Sequence, residues 1–164
     1  SMVLGTQFDR GTRKAVDNKF RIDWVRRKSF AQKNNSEISA LTTRFLFMDF
    51  AVFVKAGDFA WKLLPQYHSD LHWTIRAKKR GINLVLTDEV KFYLDQETSG
   101  VSISDVDSVK EVFANFFSKR NRVNPVYLSI FELLSAPWGL KLYNFFSTWI
   151  FSLFKLGKVL VRKI

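Results

Sequence analysis

Residues 63–81 read LLPQYHSDLHWTIRAKKRG, and the rest of the chain is best read outward from them. Ser69 is a good N-cap, and Gly81 is a good stop behind Lys78, Lys79 and Arg80, so one helix lies between them. Leu71, Ile75 and Lys78 share one face of that helix; Asp70, Trp73, Thr74 and Ala77 share another. Asp70 falls in the first turn, where the positive end of the helix dipole favours an ionised carboxylate. Such a group can accept a proton, although a first-turn Asp is also an ordinary way to start a helix.

Upstream, Val3-Leu4 ends a strand, residues 9–18 are turn-rich, and Phe20 to Val25 alternates as a strand should. Arg26-Arg27-Lys28 reads as a solvated basic run, and residues 33–39 as a polar loop. Leu41 to Val54 is strongly apolar and fits a strand followed by a short helix ending near Gly57. Downstream, Ile82 to Leu86 and Val90 to Leu94 read as two strands. Ser104 and Asp107 have capping-box spacing ahead of a helix that ends near Lys119. Asn124-Pro125 opens another helix running to Ser135, and Pro137 starts the last one.

The 164 residues suit one domain or part of a larger one, and 47% hydrophobic content is enough to build a core. No cysteine is present, which excludes disulfides and thiolate metal sites and fits a reducing compartment. Ser1-Met2 reads as a short added leader before an internal segment, with no signal peptide. The net charge of +11 is uneven: +6 in residues 1–33, −2 in 34–118 and +7 in 119–164. Basic residues gathered at the ends, with no nucleic-acid motif beside them, argue against a nucleic-acid partner. His68 and His72 stand four apart, but His68 lies outside the helix, so no metal site is assigned to this chain.

The order of motifs around Asp70 resembles the acceptor side of family-2 glycosyltransferases. There an aromatic-rich loop leads to an acidic residue, then to a helix with Leu/Ile-Arg, then to Gly. Gly57-Asp58-Phe59 resembles the Gly-Asx-Phe that precedes the acidic residue, and Asp95 to Gly100 resembles the Asp/Asn-x-x-Thr-x-Gly loop of a bacterial rhamnosyltransferase-like branch. The likeness covers residues 41–122, about half the chain. It implies an α/β fold: a partial GT-A-like, Rossmann-related mixed sheet over residues 1–118, with C-terminal amphipathic helices over 119–164.

By that resemblance Asp70 is the catalytic base, and Arg44, Tyr67, His68, Trp73 and Arg76 are substrate-binding, the rings suiting apolar sugar faces. Arg76 serves equally well as a structural ion-pairing residue. Two positions depart from the family: Phe45 stands where Gly follows the loop Arg, and Tyr93 stands where some members carry a metal-binding His. The family's nucleotide-binding half, with the Asp-x-Asp that holds Mg²⁺ or Mn²⁺ on the diphosphate, is not part of the likeness. The chain is therefore expected to be inactive alone. The complete enzyme would join a nucleotide sugar to a glycan or lipid-linked acceptor, in the cytoplasm at the inner face of the membrane.

Residues 138–164 hold a longest uncharged run of 13, too short to span a bilayer, which takes about 20 apolar residues. As a helix they show a polar stripe of Lys141, Asn144, Thr148, Ser152, Lys155, Lys158 and Arg162. The opposite face holds Leu142, Phe145, Phe146, Trp149, Leu153, Leu156 and Leu160. This pattern predicts a helix lying on an anionic membrane surface, or packing on more of the enzyme or on a second copy in a homo-oligomer. A non-enzymatic membrane- or partner-binding module is the alternative function.

Overall fold

The computed structural model describes residues 1–16, 19–31, 37–95 and 108–162. They form a mixed α/β arrangement that divides into two compact units, residues 1–60 with 70–98, and residues 61–69 with 99–164.

In the first unit, β1 (Met2–Asp9) is the middle of a three-stranded sheet. It pairs antiparallel with β5 (Leu46–Met48) and parallel with β6 (Leu84–Leu94). The second sheet is antiparallel, in the order β3 (Lys28–Ala31), β2 (Lys19–Asp23), β4 (Ala40–Leu41). The turn-rich stretch after β1 is a hairpin, as expected. Asp9 takes the backbone and hydroxyl hydrogens of Thr12 at 2.6 and 2.7 Å, and Phe8 bridges Ala15.

The two strands expected over residues 82–94 are one strand with a kink. Gly5 pairs with Thr87 and Thr6 with Lys91, so β6 carries three extra residues against β1. Gly5 permits this: a Cβ there would sit 2.9 Å from the carbonyl oxygen of Val90. Met2, Leu4 and Gly5 are buried before the kink and Gln7 after it.

Helix α1 (Phe50–Ala56) is capped by the Asp49 carboxylate on Ala51 N–H at 2.7 Å and ends at Gly57, φ +72°. Helix α2 (Ser69–Lys79) begins one residue earlier than expected, with Ser69 helical and His68 before it at φ +68°. Trp73 and Ala77 of α2 enter the core with Met2, Leu4, Ile38, Leu41, Ala56, Ile82 and Leu84.

The second unit holds α3 (Val109–Phe116), α4 (Pro125–Ser135), a 3₁₀ turn (Trp138–Leu140) and α5 (Lys141–Val161). Helix α3 opens with a capping box formed by Ser108 and Glu111; the expected pair, Ser104 and Asp107, lies outside the described residues. Asn124 and Pro125 start α4 as the sequence implies, the Asn124 side chain accepting from Val126 N–H at 2.9 Å. Val112 and Phe116 of α3 pack on Leu156 of α5.

Helix α5 mixes the two faces read from its sequence. Asn144 and Thr148 of the polar stripe are buried while Lys155, Lys158 and Arg162 are exposed, and Leu142, Phe146 and Leu153 of the apolar face are exposed while Leu156 is buried. The reason lies in α4, which presents the buried carboxylate of Glu132. Thr148 donates its hydroxyl hydrogen to Glu132 Oε2 at 2.6 Å, and Asn144 Nδ2 donates to the Leu140 carbonyl at 2.9 Å. A buried carboxylate without donors is costly, so Thr148 on α5 is held against α4.

Two substitutions test these constraints. Gly5→Ala should lower unfolding free energy by about 1–3 kcal/mol through the clash with Val90, read from the urea midpoint. Thr148→Val keeps the shape but removes one donor from the Glu132 carboxylate. It should cost about 1–3 kcal/mol in the same measurement.

Candidate functional site

Thr74 is 0% exposed and sits one turn after Asp70. Its hydroxyl accepts the Leu41 N–H at 3.1 Å, and lies 3.0 Å from the Leu41 carbonyl and 3.1 Å from the Asp70 carbonyl. One side chain thereby fastens the first turn of α2 to the end of β4. The residues that follow Leu41 are Thr42, Thr43 and Arg44. Gln7, 3% exposed, holds that segment from the other side: its Nε2 donates to Thr42 Oγ1 at 3.2 Å and to the Arg44 carbonyl at 3.4 Å. The Arg44 side chain is left exposed. Asp70 is half-buried, and its carboxylate accepts from Leu71 N–H at 2.8 Å at the positive end of the helix.

Phe45, directly after Arg44, has φ +60°. A bulky residue seldom adopts this conformation, and glycine adopts it freely. The backbone therefore takes a glycine-like turn at the position where the resembling family carries Gly. The Phe45 ring is 54% exposed and stacks on Phe92 with centroids 4.3 Å apart.

The other expected site residues fall into two groups. Trp73 is 1% exposed, stacked on Phe59 at 4.5 Å, with its indole N–H donated to the Gly57 carbonyl. It is placed in the core and not on a surface that a sugar could stack on. Arg76 donates from Nε to the Ala56 carbonyl at 3.1 Å and from its other nitrogen to the Asp58 carbonyl. Arg80 donates to the Lys55 and Ala56 carbonyls, both at 2.9 Å. Together these two guanidinium groups cap the last turn of α1, where a cation meets the negative end of the helix. The geometry gives Arg76 a structural task, donation to backbone carbonyls where an ion pair was expected.

Tyr67 and His68 belong to the second unit. His68 Nε2 lies 2.9 Å from the Arg122 carbonyl, and the imidazole stacks on Phe131 at 5.0 Å. Tyr67 is half-buried, with its ring 6.5 Å from that of His68. Tyr93, in place of the family's metal-binding His, packs on Phe8 at 5.7 Å, with Arg13 4.9 Å above its ring. Among the described residues no group of three or more His, Asp or Glu could hold a metal ion. The chain's single Asp-x-Asp, Asp105-Val106-Asp107, follows the α2 motif and lies outside the described residues.

Sequence reasoning missed Thr74 as the clamp and Gln7 as the loop support. Thr74 was legible as a polar residue on the inward face of α2. Gln7 was not, because the segment it supports lies 35 residues and more away in sequence. No family model, no curated protein and no solved structure matches the chain.

Burial lowers the His72 imidazole from 6.5 to about 4, with the charges of Arg76 and Lys79 acting in the same direction. The folded protein thus refuses a proton that the unfolded chain accepts. Stability is complete above pH 6.5 and falls as pH drops toward about 4. Urea titrations across that window should show the loss, and His72→Gln should flatten it.

Proposed function

We propose that this chain is the acceptor-side portion of an inverting family-2 glycosyltransferase with a GT-A-like fold, close to the bacterial rhamnosyltransferase-like branch. The complete enzyme would move a sugar from a nucleotide-sugar donor to a cell-surface glycan or lipid-linked acceptor. The observation that carries this reading is the Thr74 clamp. It anchors the carboxylate-bearing turn of α2 to the strand that leads into Thr42-Thr43-Arg44. The glycine-like turn at Phe45 supports it, as does the order of α2 followed by β6.

The proposed chemistry is a single displacement. The acceptor hydroxyl oxygen attacks the anomeric carbon, Asp70 takes the hydroxyl proton, and the bond from that carbon to the diphosphate oxygen breaks. The nucleoside diphosphate leaves with the electron pair. A half-buried carboxylate at the start of a helix, within reach of an acceptor hydroxyl, is placed to take its proton. The exposed Arg44 guanidinium is suited to a phosphate oxygen. Mg²⁺ or Mn²⁺ in the complete enzyme would neutralise the diphosphate. The described residues of this chain offer no cluster to hold the ion, so none of these steps is routed through it.

A non-enzymatic membrane- or partner-binding module is the second reading. The exposed apolar row on α5 favours it without conflicting with the first.

The transferase reading is tested by Asp70→Asn in the protein that contains both halves. Asn keeps the acceptor oxygen for Leu71 N–H and removes the base. Turnover should fall about 10²-fold or more with donor affinity unchanged. Turnover near the parent's would return Asp70 to the role of a helix-start residue.

A further inference from the structure

We propose that the outer side of α5 lies in the headgroup layer of an anionic membrane, with its apolar side chains entering the acyl boundary. The inference rests on the exposed apolar row of α5 and not on the transferase reading. Leu142, Phe146, Ile150, Leu153 and Phe154 are each more than half exposed, while Asn144 and Thr148 are buried. Five large apolar side chains along one helix form a continuous row, unlike the scattered apolar residues of an ordinary surface. Trp138, just before the helix, is 87% exposed and adds an aromatic of the kind favoured at such boundaries.

Charge selects lipid over protein as the occupant. Residues 119–164 carry eight Lys or Arg and one acid, Glu132, which is buried and bonded to Thr148. The surface of this segment therefore presents cations with no exposed carboxylate among the described residues. A second copy would bring the same charge against it, whereas anionic headgroups complement it. Lys158 Nζ lies 4.5 Å from the Phe154 ring centre and Lys141 Nζ 5.1 Å from that of Trp138. Long stems running beside rings, with charged ends free to reach a polar layer, suit a helix lying in the interface. No helix among the described residues is long and apolar enough to cross a membrane.

Flotation of the full chain with vesicles tests the proposal. The probes are phosphatidylcholine alone and phosphatidylcholine with one third phosphatidylserine. The bound fraction should be about tenfold or more higher with the anionic vesicles and should fall with added salt. Phe146→Glu with Ile150→Glu alters only exposed positions and should abolish flotation, with helix content and thermal midpoint unchanged. Lys155→Glu with Lys158→Glu keeps the apolar row and should remove the preference for anionic vesicles. Asp70→Asn should float like the parent, which separates this idea from the transferase reading. The proposal is overturned if the intact chain stays with the unbound fraction. It is also overturned if the Phe146/Ile150 variant floats equally well, or if sedimentation shows a dimer that this variant dissociates while vesicles bind neither.

Discussion

The hydroxyl of Thr74 is the point on which the first unit turns. A helix and a strand end can be packed together by apolar contact alone, but such contact leaves their relative register loose. A buried hydroxyl that accepts one backbone N–H and faces three carbonyls narrows that register. Once α2 is set against Leu41, Trp73 reaches Gly57, and Arg76 and Arg80 reach the end of α1. The short helix α1 would be marginal alone. Its last carbonyls are held by cations from α2, so the two helices form one piece of structure.

The second unit combines an apolar cluster of Val112, Phe116 and Leu156 with buried polar groups: Glu132 with Thr148, Asn144 with the Leu140 carbonyl, and Asn121 and Asn124 with the backbone around Phe116 and Ser118. The directional bond between Glu132 and Thr148 limits how α4 and α5 can meet. Leu142, Phe146, Ile150, Leu153 and Phe154 of α5 remain outside. A helix with more apolar surface than its own core consumes is suited to a second, non-aqueous environment.

Much of the local structure was legible from residue type and spacing. Asn124-Pro125, Gly57 and the apolar run from Leu41 each marked an element that is present, because caps and periodicity act within a few residues of chain. The turn after Asp9 was legible for the same reason. The candidate site was legible only in part. Asp70 and Arg44 could be singled out by order and resemblance, yet the burial of Trp73 and the capping task of Arg76 could not. Both depend on where Gly57 and α1 sit relative to α2, some sixteen residues or more away in sequence.

By itself, then, the sequence determined the approximate positions of the helices of this protein, the Asn124-Pro125 start of α4, the basic character of its ends and the place of Asp70 at the start of α2. Tertiary structure alone decided three things. The three-residue kink in β6 depends on the close approach of Val90 to Gly5, which no local pattern encodes. The glycine-like backbone at Phe45 comes from the turn between β4 and β5, against the residue's own preference. The burial of Thr148 on α5 depends on a carboxylate buried in α4. Helical periodicity separates the polar from the apolar side of a helix, but which side turns inward depends on what the neighbouring helix presents.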